Sequence, residues 1–228
     1  TCPVPSSECG ALVTDSLPHM GSCFLSSSMP CDGSTMASSY YSRRFPDTPV
    51  FHLCFPVRYM DEETVQMGAE DIKACIKFIE ERTGAKWSWD AYFKQIKRFN
   101  METDYELQKW EVNKSAYPQL LGPCYELFRK WNYEMDGGAD PRVEKTMKKV
   151  NDILMKAYEN KEEAWPGKMK YRAIVWSCPA HYYANFSNWL ANCWGVNVLV
   201  EMESLNFTKH LETEDKEEAM RDLARLYE

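Results

Sequence analysis

Cys31 stands where a cysteine can do chemistry. It lies in the turn Ser27-Ser28-Met29-Pro30-Cys31-Asp32-Gly33-Ser34-Thr35, after the apolar run Cys23-Phe24-Leu25 and before Met36-Ala37-Ser38-Ser39-Tyr40-Tyr41. The run reads as a buried strand and the segment after the turn as a helix start. Ligands of open α/β sheets bind at such strand-to-helix turns. The first amides of a helix favour an anion, so a thiolate is stabilised there. Two readings of Cys31 stand: a metal ligand or reactive thiol, and a turn cysteine that only fills space.

A second strand-end loop, Ser177-Cys178-Pro179-Ala180-His181, joins a thiol and an imidazole. Such a pair can bind a metal, activate a nucleophile or contact a ligand. The plainer reading is a helix-entry loop with a buried thiol and a half-exposed His. His52 falls inside an apolar strand and reads as a core histidine with its hydrogen bonds satisfied. His19 and His210 read as surface positions. No dinucleotide-binding glycine pattern, P-loop, nucleophile elbow or zincin motif is present.

The elements that position these residues follow from punctuation and period. Cys23–Ser26 reads as a strand, Ser34–Tyr41 as a short helix and Pro49–Phe55 as a second strand. That order predicts parallel pairing through a crossover. Residues 61–165 read as helical. Asp61 is the N-cap of a helix with Val65, Ile72, Cys75, Ile76 and Ile79 on one face, and Gly84 ends it. Ser88 starts the next helix, with Tyr92, Ile96 and Phe99 inward and a continuation through Tyr105, Leu107 and Trp110. Tyr125–Tyr133 is another helix. Asp140-Pro141 starts a helix whose apolar stripe is Val143, Met147, Val150, Leu154 and Tyr158. From 166 the pattern returns to α/β: strand Tyr171–Trp176, helix Phe186–Cys193 and strand Gly195–Val200. Thr213 then caps a helix over Glu214–Tyr227, with Glu214-Asp215-Lys216-Glu217-Glu218 as a solvated face.

The predicted class is therefore α/β, with parallel-sheet, Rossmann- or flavodoxin-like units flanking a helical segment. The expected domains are 1–60, the carboxyl-terminal part of a first α/β domain; 61–165, helical; and 166–228, the start of a second α/β domain. The 228 residues suffice for a sizeable core. A formal charge of −7 argues against a nucleic-acid footprint. No apolar run is long enough to span a bilayer, so no membrane partner is expected. The chain starts without Met and ends inside a helical pattern, so a fragment of a longer protein is expected. Nine cysteines, an odd number with no C-x-x-C pair, argue against a disulfide scaffold or zinc ribbon. A reducing cytoplasm suits such a thiol set. Cys75, on an apolar helical face, and Cys193, beside Trp194, read as small core residues.

The turn Pro30-Cys31-Asp32-Gly33, with Pro49-Val50-Phe51-His52-Leu53 after it, is similar to the Cys-Asp region of the 2-hydroxyacyl-CoA dehydratase and benzoyl-CoA reductase subunit family. The resemblance continues through Phe78-Ile79-Glu80-Glu81-Arg82-Thr83-Gly84-Ala85-Lys86-Trp87-Ser88-Trp89, the helix after Asp140, and Arg172–Trp176 followed by Cys178-Pro179. It implies a 4Fe-4S cluster held by cysteines from separate loops, and a homologous second subunit. It also implies an ATP-dependent activator protein as electron donor and a 2-hydroxyacyl-CoA substrate. Dehydration to the enoyl-CoA would run through a ketyl radical. An aromatic acyl-CoA reductase subunit, or a non-catalytic cluster-bearing accessory subunit, is the alternative. By position Cys31 corresponds to the Cys-Asp ligand. Cys2 is the expected earlier ligand, with Cys9 as its competitor and Cys178 as a fallback. The resemblance assigns no catalytic side chain. The family's last cluster cysteine has no counterpart here.

Overall fold

The computed structural model describes residues 3–16, 21–28, 32–55, 61–119, 141–164, 169–175, 189–201 and 209–226. The chain is mixed α/β and mostly helical, with two short sheets among the described residues. It divides into two compact units: Thr1–Asp90 with Glu212–Glu228, and Ala91–Leu211.

The first unit begins with α1 (Pro3–Val13), a helix the sequence pattern did not announce. Its prolines occupy the first turn, where the missing N–H costs nothing. β1 (Phe24–Ser27) and β2 (Val50–Leu53) pair in parallel, with Ser26 opposite His52, as the strand–turn–helix–strand order predicted. Between them lies α2 (Asp32–Arg44), two residues longer at its start than expected. Side chains alternate across the strands. Phe24 stacks on Tyr41 of α2 with ring centroids 4.1 Å apart. Phe51, of opposite parity to His52, meets Phe78 of α3 (Glu62–Thr83) at 5.3 Å. The sheet thus has α2 on one face and α3 on the other.

α3 has the predicted ends. Asp61 Oδ1 accepts from the Thr64 N–H at 2.8 Å and from the Thr64 hydroxyl at 2.7 Å. Gly84 takes the left-handed φ of 73° and donates its N–H to the Glu80 carbonyl. Of the predicted apolar face, Val65, Ile72 and Cys75 are buried, while Ile76 and Ile79 are half-buried. α3 packs on the carboxyl-terminal helix of the chain, Lys216–Leu226. Ala219, Met220 and Ala224 from that helix reach 0% exposure. Its cap is not the expected Thr213. Asp215 Oδ1 accepts from the Glu218 N–H at 2.8 Å. Thr213, Glu214 and Asp215 instead give their N–H groups to the Glu212 carboxylate. Those donors hold the Glu212 carboxyl below its usual range, first through Asp215 and then Glu214.

The second unit contains most of α4 (Trp89–Lys114), then α5 (Pro141–Glu159), β3 (Tyr171–Val175) and β4 (Val196–Glu201); the Lys216–Leu226 helix is α6. β3 and β4 are parallel. Ala173 pairs with Val198 and Ile174 with Val200, so Leu199 is skipped. Its carbonyl accepts instead from Asn113 Nδ2 at 2.9 Å. Met147 and Leu154 of the predicted α5 stripe are buried. Cys193, expected in the core, is exposed. Leu190–Trp194 forms a π-helical turn closed by Gly195 at φ 67°. Its larger number of residues per turn changes which residues share a face: Ala191 is buried while Trp189 and Trp194 are exposed. The predicted Tyr125–Tyr133 helix lies outside the described residues.

Candidate functional site

The carboxyl ends of β1 and β2 are stitched together by one serine. The Ser28 N–H donates to the Leu53 carbonyl at 2.9 Å, one step beyond the last strand pair. The Ser28 hydroxyl then accepts from the Phe55 N–H at 3.0 Å and donates to the Phe55 carbonyl at 3.3 Å. Next to Phe55, the Cys54 N–H donates to Asp71 Oδ2 of α3 at 2.8 Å. This end of the sheet is held by side chains as well as by ladder bonds.

His52 crosses from the sheet to α2. Its Nδ1 is 3.1 Å from the Ser26 hydroxyl on β1. Its Nε2 is 3.5 Å from the Thr35 hydroxyl in the first turn of α2. A neutral imidazole donates from one nitrogen and accepts at the other, and hydroxyls do either. Both contacts are therefore compatible with either tautomer. The expectation of a satisfied histidine within the fold holds, and its partners belong to the two elements that flank residues 29–31.

α1 and α2 pack side by side. An ion pair joins Asp15, just past the end of α1, to Arg44, the last residue of α2. Leu12 of α1 and Ala37 of α2 are both fully buried. The two helices therefore run the same way, and their first residues, Pro3 and Asp32, share one end of this layer.

Of the residues singled out from the sequence, Cys31, Cys2, Cys178, His181 and His19 lie outside the described residues. Cys9 is described: a free, half-buried thiol in α1. Cys23 and Cys75 are also free, and burial pushes the Cys75 thiol up, with smaller effects from Asp71 and Cys23. Such a thiol is a packing group. His210, on the surface as expected, meets Asp104 at 2.7 Å. Among the described residues, no group of three or more His, Cys, Asp or Glu could hold a metal ion.

A polar stripe on α4 escaped the sequence pattern. Arg98, Glu102, Glu106, Lys109 and Asn113 recur at helical spacing, the sign of a solvated face. Instead Glu102, Lys109 and Asn113 are 8%, 3% and 1% exposed. Arg98 Nε meets Glu102 Oε1 at 3.2 Å, and Lys109 pairs with Glu106. Burial pushes the Glu102 carboxyl up to about 6 against the opposing pull of Arg98, with Glu144 adding to the rise. Asn113 Oδ1 accepts from the Gln119 N–H at 2.9 Å, and Arg172 donates to the Asn113 carbonyl. This network ties the end of α4 to the β3–β4 sheet. Its only trace in the sequence was the regular spacing of its charges.

No helix among the described residues is long and apolar enough to cross a membrane. Comparison with curated proteins finds no match. The family model for 2-hydroxyglutaryl-CoA dehydratase, D-component, matches residues 1–228, every residue of the sequence and both compact units. That full-length match shows that the chain belongs to the 2-hydroxyglutaryl-CoA dehydratase D-component family.

Proposed function

We propose that this chain is the cluster-bearing component of a 2-hydroxyacyl-CoA dehydratase, with Cys31 and Cys2 as thiolate ligands of a 4Fe-4S cluster. The observation that carries the site is the shared direction of α1 and α2. Cys2 immediately precedes α1 and Cys31 immediately precedes α2. Two helix N-termini at one end of a layer favour anionic sulfur, and thiolates suit iron. Cys9 is the weaker choice, because it lies six residues along α1 from Pro3, roughly 9 Å further down the axis. Cys178 remains a fallback ligand from the second strand-end loop.

When bound, such a cluster supplies single-electron chemistry and a Lewis-acid position for a thioester carbonyl. The chain's own part is to hold the thiolates and to brace the strand ends behind them. Ser28 does the bracing at the sheet, and α2 begins at Asp32, the residue after Cys31 in sequence. The ketyl-radical route, a homologous partner subunit and an ATP-dependent activator belong to this same reading. So do two Rossmann- or flavodoxin-like units, 1–60 and 166–228, on either side of a helical 61–165. The support for them is family membership and the parallel pairing of each sheet.

The test is iron and acid-labile sulfide per chain after isolation without oxygen, in the parent protein and in Cys31→Ala, Cys2→Ala and Cys9→Ala. Iron and sulfide in equal amounts, lost in the first two variants and kept in the third, is the expected result. Full iron in Cys31→Ala would sink the assignment. Product analysis with 2-hydroxyacyl and aromatic acyl thioesters then separates dehydration from ring reduction.

A further inference from the structure

We propose that the solvent face of α5 is the docking surface for an acidic face of the partner subunit, with Arg142, Lys145, Lys149 and Lys156 steering the encounter and Ile153 seated among them. The inference rests on the partner subunit of the reading above and adds where that subunit meets this chain.

The spacing defines the face. Arg142, Lys145, Lys149, Ile153 and Lys156 follow one another at steps of three and four, so they form one stripe along the helix. The stripe runs about 21 Å from Arg142 to Lys156. All five residues are exposed, and Met147 and Leu154, on the opposite side, are buried. Ile153 is 58% exposed. An apolar side chain ringed by charge has the anatomy of a small protein interface.

These charges are not laid out for the helix that carries them. On α3 and α4, Lys73, Lys77 and Lys114 each pair with a glutamate three or four residues away. Lys145, Lys149 and Lys156 make no ion pair among the described residues, and Asp152 on their flank is taken by Lys148 at 2.9 Å. Arg142, Lys145 and Lys149 are instead neighbours of like charge at helical spacing, an arrangement that destabilises a helix. On a chain of net charge −7 the stripe is a local positive field, and its complement is an acidic surface. A protein fits it better than a bilayer, because one apolar side chain with no aromatic beside it offers little to insert.

The two subunits are purified separately and mixed. Association and dissociation rates are followed over a range of salt for the parent and three variants, each with its thermal unfolding. Lys145→Glu is expected to slow association about fivefold at low salt and to flatten its salt dependence. The same change turns the repulsions with Arg142, Lys148 and Lys149 into attractions, so Tm stays at or above that of the parent. Ile153→Ser is expected to speed dissociation about fivefold and to leave association alone. Lys94→Glu, at an exposed lysine of α4, makes the same change of charge elsewhere and associates as the parent does.

Parent-like rates in Lys145→Glu overturn the proposal. So does equal slowing in Lys145→Glu and Lys94→Glu, which is an effect of net charge alone. Phosphatidylserine vesicles that bind the parent and not Lys145→Glu, with subunit association unchanged, assign the stripe to a membrane and overturn it too. Failure of the underlying reading has a separate signature: the parent chain and the partner subunit form no complex at any salt, and the proposal falls with it.

Discussion

Glu102 sits in an environment that its neighbours in sequence do not suggest. It lies in a run of charges on α4, yet its side chain is only 10% exposed beside an equally buried Arg98. Burial outweighs Arg98, and the carboxyl titrates near 6, above its ordinary 4.5. An acid whose folded value is raised binds its proton more tightly when folded, so its stabilising effect is complete below about 4.5 and is lost as pH rises through about 6. Urea unfolding of the parent chain is expected to lose up to about 2 kcal/mol from this group between those values. The Glu102→Gln variant should lack that slope, and equal slopes in the two proteins would show that another group titrates there. The sequence-level reading failed at Glu102 because helical periodicity says which residues share a face, not what covers that face. It succeeded at Cys75, a small apolar-face thiol, and failed at Cys193, where a π-helical turn shifts the spacing.

At the scale of elements, α3 was the most legible part of the chain because its signals are local. Asp61 precedes two acidic residues, the apolar spacing is helical, and Gly84 supplies a positive φ. Asp61→Ala removes an acceptor for both the N–H and hydroxyl of Thr64, and should cost about 1 kcal/mol in thermal or urea unfolding. Gly84→Ala meets no neighbour within 4 Å, so its expected cost, again about 1 kcal/mol, is purely the left-handed backbone. A larger loss in Gly84→Ala would indicate a contact this geometry does not contain. α6 illustrates the opposite case. Two acceptable caps, Thr213 and Asp215, stand two residues apart, and local sequence ranks them poorly. The choice follows from Glu212, which takes the N–H groups of Thr213, Glu214 and Asp215 and leaves Asp215 to cap the helix.

The two compact units cut across chain order. α6 completes the first unit from the far end of the sequence, laying Ala219, Met220 and Ala224 against α3. Gly68 makes that approach possible, since a Cβ there would stand 3.1 Å from the Ala224 Cβ. Arg221 and Arg225 of α6 reach Glu62 at the start of α3, and Lys73 pairs with Glu217 at 2.5 Å. The carboxylates of these pairs are largely solvated, although the cations are partly covered, so the pairs add little beyond orientation. The apolar seam carries the energy. Met220→Asp should cost several kcal/mol by burying an unpaired carboxylate or ejecting α6. Hydrogen exchange should then accelerate in α3, about 140 positions away in sequence, and leave α4 and α5 as they were. Equal acceleration in α5 would contradict the division into two units.

Sequence by itself determined the parallel pairing of β1 with β2, the ends of α3, the start of α5 at Pro141 and the family. Each of these rests on signals within a few residues or on a turn whose chemistry is distinctive. Tertiary structure decided what no local signal contains. It brought α6 to α3, buried the charges of α4, ran α1 alongside α2 and set His52 between Ser26 and Thr35. The physical reason is common to all four. Each depends on which surfaces meet, and that is settled by the total apolar area buried and polar groups satisfied across the whole chain, not by the preferences of any one segment.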